Sequence, residues 1–212
     1  MTETQRINRR GSTILEFAIV APFLVVTLLG VAGFGISLGR YIQALQVCRD
    51  VAHMFADGVD FTQPGNKALI VLMAQGSGMT ATSGNGVVIL SRISTVYQAD
   101  CDAASYSGSC SNLGLAVFTQ RLVVGNVALR SSAFGSPNTG IVDASGNISS
   151  SVYLRNTDGS VRTSGFTSLL TTAGLTQGQG DAAWVAELYF SYPDLAFLGN
   201  NQPAGMYARF IF

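Results

Sequence analysis

From Ile14 to Leu38 the chain is apolar almost without a break. As α-helix at about 1.5 Å per residue this run reaches about 37 Å, enough to cross a hydrocarbon core of about 30 Å with some tilt. Beyond it the pattern narrows to a stripe. Tyr41, Leu45, Cys48, Ala52 and Phe55 recur at three- and four-residue steps, with Gln43, Gln46, Arg49, Asp50 and Asp57 largely off it. One helix over Ser12–Ala56 is expected, apolar all round at first and amphipathic later. Its stripe rests on a soluble domain, a seam with a partner helix being the alternative. Pro22 lacks an amide hydrogen and predicts a kink or local opening. Gly30, Gly33, Gly35 and Gly39 are tolerable in a membrane helix and permit close helix approach without specifying a partner. Gly58 is a stop signal.

After Pro64, Lys67–Ala74 reads as a short second helix ending near Gly76. From Gly86 the texture turns to β-branched segments between glycine-rich turns, predicting strands at Val87–Gln98, Ala116–Gly125, Ala183–Tyr192 and Met206–Phe212. Pro193 closes the third, since proline cannot donate to a central ladder. Ser131–Gly180 is dominated by Ser, Thr, Gly and Asn, with apolar pieces at Val152–Leu154 and Phe166–Leu170 that allow a small hairpin and a helical turn. A structureless loop of that length is unusual in a compact domain and points to function or mobility. The expected fold is α+β: a long N-terminal transmembrane helix, then a small, mainly antiparallel β-sheet head with a loop-rich insertion. The expected divisions are a leader at 1–11, the helix at 12–57 with its span at about 14–38, and the head at 58–212.

Composition removes several function classes. Of 212 residues, 48% are hydrophobic and only 11% charged, which suits one anchor plus one soluble domain. The formal net charge is zero, and losing residues 1–11 would remove Arg6, Arg9, Arg10 and Glu3 and leave the chain slightly acidic. Such a chain has no electrostatic footprint for nucleic acid. His53 is the single histidine and Lys67 the single lysine, and neither a nucleophile elbow nor a phosphate loop is present. Asp181 and Glu187 read as solvated carboxylates, and no enzymatic activity or cofactor is expected. Asp100 and Asp102 flank Cys101 in a polar stretch that lacks the further carboxylates a cation site needs. No Cys-x-x-Cys pair points to a metal. Cys101 and Cys110 lie close enough to close a small disulfide loop in an oxidising compartment, two surface thiols being the alternative. Cys48, on the helix, reads as a small apolar core residue.

The apolar run is too long for a typical signal-peptide core, and no clear small-residue cleavage site follows it. Arg6, Arg9 and Arg10 precede the span while Arg40 and Arg49 follow it, so the positive-inside rule places the N-terminus in the cytoplasm and residues after about 40 outside. Gly11 stands five residues before Glu16, leaving room for a peptidase to cut between Gly11 and Ser12. Glu16 heads the apolar run, where a carboxylate is disfavoured and marks a functional contact, or else an interfacial side chain.

Arg10-Gly11, Glu16-Phe17-Ala18 and Pro22 resemble the class III leader of pilins and pseudopilins. With Leu28-Leu29-Gly30 and Ala44-Leu45-Gln46-Val47-Cys48-Arg49-Asp50-Val51-Ala52, the stretch Arg10–His53 resembles the TadE-like family of pseudopilins in tight-adherence (Flp) pilus systems. The family usually has alanine where Cys48 stands and a basic residue where His53 stands. The resemblance implies cleavage by a prepilin peptidase and insertion in the bacterial inner membrane. It also implies a periplasmic or extracellular head and contacts with pilin and other pseudopilin subunits. In that setting Glu16 would pair with the new amine of Ser12 on a neighbouring subunit, and the chain would be a minor pseudopilin supporting assembly of an adhesive pilus. The alternative is a membrane-anchored extracytoplasmic binding domain that never enters a pilus.

Overall fold

The computed structural model describes residues 10–106, 108–192 and 204–212, with side chains from Ile14 in the first helix and from Gly205 in the last strand. The chain divides between Tyr41 and Ile42 into two units. Helix α1 covers Arg10–Ala56 and is unbroken through Pro22. In the first unit the large apolar side chains from Ile14 to Leu38 are exposed around the helix.

The second unit is a four-stranded antiparallel sheet with helices on one face and the insertion on the other. Its strands are β1 (Gly86–Thr95), β2 (Ala116–Gly125), β3 (Ala183–Tyr192) and β4 (Ala204–Ile211), in the order β2-β1-β3-β4. Ala44, Val47, Cys48, Val51, Ala52 and Phe55 of α1 pack with Val88, Leu90, Leu122, Val124, Ala186 and Leu188 of the sheet. The i, i+3/i+4 spacing makes this a single face of the helix, centred one residue off the expected stripe: Tyr41 is exposed and Leu45 half-buried. Each large side chain buried there stabilises the fold by about 1.5–3 kcal/mol. Helix α1 ends in a left-handed cap, with Gly58 at φ +84° and the Val59 N–H donating to the Met54 carbonyl at 2.9 Å. That geometry favours glycine, so the sequence stop signal has a backbone cause. Helix α2 (Pro64–Met73) begins on its proline and adds Ile70 to the same core.

A bulge lets both faces of β2 be used. Arg92 pairs with Gln120 but Ile93 pairs with Phe118, so Thr119 is left over. The extra residue reverses the in–out alternation. Leu122 and Val124 therefore face α1, while Ala116 and Phe118 join Ile93, Ala183 and Val185 beneath Phe134, Ile148 and Phe166 of the insertion.

The sequence expectations need three adjustments. Strand β1 stops at Thr95, because the Asp100 carboxylate accepts the Tyr97 N–H at 2.8 Å and starts a short helix, α3 (Gln98–Ala103). A single turn of helix is too short to show periodicity. Within the insertion, both apolar pieces are helical, as α4 (Ser150–Tyr153) and α5 (Phe166–Thr172), and a hairpin-like bridge joins Val142 to Ile148. Phe134, Ile148, Leu154, Val161 and Phe166 are buried there, so the segment forms a covering layer of the head.

Candidate functional site

Two groups of residues are candidates for a functional site, one in each unit. In the first, Gly11 and Ser12 lie in the opening turn of α1, their side chains outside the described residues. Glu16 follows Ser12 by one turn, about 6 Å of helical rise. It is exposed and is the only charged residue between Arg10 and Arg40. Pro22 leaves the Ala18 carbonyl without its usual i+4 donor, while Thr27 turns its hydroxyl back onto the Leu24 carbonyl at 2.9 Å. Apart from such points, backbone polarity is satisfied within the helix, the condition for crossing hydrocarbon. A Cβ added at Gly30, Gly33, Gly35 or Gly39 would meet nothing within 4 Å.

In the second unit, the sheet face under the insertion holds a buried polar network. Glu187 on β3 is 1% exposed. Its carboxylate accepts from the Ser132 hydroxyl, the Ala133 N–H at 2.8 Å and the Tyr207 hydroxyl at 2.6 Å. Three donors converge on it, so both carboxylate oxygens are satisfied within the fold. Two residues along the same face of neighbouring β1, Ser91 accepts from the buried Arg121 guanidinium. Arg121 also donates to the Gly135 carbonyl at 2.6 Å and the Ser136 hydroxyl at 3.3 Å. Burial pulls the Arg121 pKa down to about 10, with the Glu187 charge acting in the opposite direction. Burial and the Glu187 carboxylate push the Tyr207 phenol well above its ordinary value. The network fastens residues 132–136 to the sheet.

Glu187 therefore departs from the solvated reading. Asp181 is exposed and accepts the Gly178 N–H at 2.7 Å. The sequence did hold a signal for Glu187: one acid inside the otherwise near-apolar strand Ala183-Trp184-Val185-Ala186-Glu187-Leu188-Tyr189-Phe190, which reads as buried on both faces. Beside the network a cleft of about 390 Å³ opens between Ile89, Val123, Val127, Pro137 and Val142, with Arg121 and Arg130 at its polar wall. Residues from three separate segments form it, so no local pattern announces it.

Cys101 and Cys110 are joined as a disulfide with Cα atoms 5.9 Å apart, Cys101 lying in a small core with Val96, Val117, Leu154 and Val161. Asp100 caps α3 and Asp102 accepts from Gln98 at 2.8 Å. Among the described residues no cluster of His, Cys, Asp and Glu has metal-binding geometry. Cys48 is fully buried, its thiol facing the Ala186 carbonyl at 3.5 Å, and burial pushes its pKa up to about 12.

Residues 11–53 match the family model described as TadE-like protein. The match covers α1 from its first turn to His53, taking in the exposed apolar run and the buried stripe as far as Ala52. No curated protein and no solved structure matches the chain.

Proposed function

We propose, from the TadE-like segment at residues 11–53, that this chain is a minor pseudopilin of a tight-adherence pilus system, a structural subunit rather than an enzyme. The observation that carries the reading is the position of one carboxylate. Glu16 stands one turn past Ser12 at the head of an exposed apolar helix long enough to cross a membrane. Cleavage between Gly11 and Ser12 by a prepilin peptidase creates a cationic amine at nearly the same depth. A Glu16 from a neighbouring subunit then lowers the desolvation cost of both charges. The basic residues at 6, 9 and 10 keep the N-terminus in the cytoplasm, so the head lies outside the inner membrane, where a Cys101–Cys110 disulfide persists.

The deciding experiment is intact-mass and N-terminal analysis of the membrane-bound protein from cells with an active pilus peptidase. A mature chain beginning at Ser12 is expected, and Gly11→Ile should block processing by filling a site that must be small. A native chain still beginning at Met1 in those cells would overturn the proposal. The alternative, an anchored binding domain outside any pilus, draws on the cleft at Ile89, Val123 and Arg130. It predicts no co-purification with pilin subunits.

A further inference from the structure

The two edges of the head sheet are finished differently. On β2 the outward backbone groups are closed by the chain itself. The Arg121 N–H donates to the Gly146 carbonyl at 2.7 Å, the Ile148 N–H to the Thr119 carbonyl at 2.9 Å, and the Gly125 N–H to the Ala81 carbonyl at 2.9 Å. Gly146 sits at φ +78°, pressed so closely on Leu122 that a side chain there would clash. The closing turn is thus built into the fold.

Among the described residues, strand β4 has no such cover. Trp184 and Phe212 exchange both backbone hydrogen bonds, at 2.9 and 3.0 Å. The antiparallel alternation then turns the N–H and C=O groups of Phe210, Ala208 and Met206 toward β3, and those of Ile211, Arg209, Tyr207 and Gly205 away from it. Among the described residues no group donates to or accepts from these outward positions. Neither a register shift nor a proline interrupts Gly205–Ile211. The usual devices that blunt an edge are missing among the described residues, except for the single charge of Arg209.

We infer that β4 is an interaction edge whose occupant is the β4 of a second copy of this chain, joined antiparallel about Ala208 to make one continuous sheet. The sequence selects that register. Centring on Ala208 sets Tyr207 opposite the second copy's Arg209 and Gly205 opposite its Ile211, so every outward-facing residue finds a partner for both backbone groups. The parity is right, because Ala208, whose own groups bond β3, falls in a non-hydrogen-bonded pair with its counterpart. Centring on Arg209 instead would set two guanidiniums directly opposite, which destabilises a pair, and would leave Gly205 unpaired. In the chosen register Met206 meets Phe210 on the face that packs with α1, so the apolar layer continues across the junction. Nothing in this inference depends on the pilus reading.

Residue-resolved hydrogen exchange on the full-length protein in detergent micelles, over a concentration series, tests it. In the dimer the amides of Tyr207, Arg209 and Ile211 should exchange at least about tenfold more slowly than in the dilute monomer, while Ala208 and Phe210 stay protected throughout. Arg209→Pro removes an outward N–H without touching the β3–β4 ladder, and should leave a folded chain that is monomeric where the parent is dimeric. Ala208→Cys should link two copies on oxidation, since the paired Cα atoms would lie about 4.5 Å apart. A dimer whose outward amides exchange freely overturns the inference, because association then runs through another surface. So does an Arg209→Pro dimer of undiminished stability, protection that does not change with concentration, or an edge that pairs only with a different subunit.

Discussion

At the scale of single residues, the head is decided by one buried carboxylate. Glu187 satisfies three donors at once, and removing it leaves Ser132, Ala133 and Tyr207 without their acceptor in a site closed to water. Breaking a buried charged network by deleting one member costs about 3–5 kcal/mol. Glu187→Ala should therefore destabilise the head by about that amount, and Glu187→Gln by less, because the amide keeps the volume and one acceptor. Denaturant titration of the tryptophan signal reads this directly, since Trp184 lies on the same strand. An alanine variant within experimental error of the parent would show the network to be idle. The contrast with Cys48 is instructive. Both residues are buried, yet the thiol is content among apolar neighbours with one long contact to the Ala186 carbonyl, whereas the carboxylate needs donors from residues 132–133 and from β4. Local pattern reveals the first requirement and is silent about the second.

At the scale of elements, the long-range hydrophobic pattern was the reliable guide and short polar segments were not. Strands β2 and β3 begin and end where their runs of apolar, aromatic and β-branched residues give way to turn residues. Helix α3 has six residues and no period to read, so only its capping by Asp100 and its anchoring by the disulfide define it. That anchoring gives a prediction for the element. Cys101 and Cys110 are 9 residues apart. By chain entropy, closing so short a loop stabilises the fold by about 2–3 kcal/mol. The double substitution Cys101→Ser, Cys110→Ser should lower head stability by about that much. It should also speed proteolysis first within residues 98–114, leaving the packing of α1 on the sheet unchanged. Equal stability of reduced and oxidised protein would remove the structural role assigned to the bridge. Non-reducing peptide mapping of protein isolated without reductant must recover the 101–110 link for the comparison to apply.

At the scale of the whole molecule, the apolar run of α1 from Ile14 to Leu38 is not buried within the chain, unlike the stripe from Ala44 to Phe55. Its apolar side chains are exposed and the run is long and apolar enough to cross a membrane; under the pseudopilin reading such a surface meets lipid and neighbouring subunits. Glu16→Ala separates the two. Insertion should be intact, since the span only becomes more apolar. Under the pseudopilin reading, pilus yield and cross-linking to pilus subunits should nevertheless fall, because the mature Ser12 amine loses its counter-charge. Normal pili with normal cross-linking, at equal membrane abundance and complete leader cleavage, would reject the pairing. Failed cleavage would instead place Glu16 in the peptidase's recognition of the leader.

What the sequence determined by itself was everything governed by local periodicity and composition. The apolar length of α1 and its amphipathic second half follow from composition and side chains repeating every 3.6 residues, the stop at Gly58 from its backbone freedom, and the strands, apart from the end of β1, from apolar runs between turn residues. The leader motif follows from a glycine and a glutamate at fixed offsets, which the 11–53 family match also covers. Only the tertiary structure decided what depends on which segments meet. The bulge at Thr119 turns Phe118 toward the insertion, and the insertion becomes a buried layer because Phe134, Ile148 and Phe166 find that face. Glu187 changes from a surface acid to the centre of a network, and among the described residues β4 is left as the open edge while β2 is closed. Each of these is set by backbone hydrogen bonds and packing between residues far apart in the chain, and no window of sequence contains both partners.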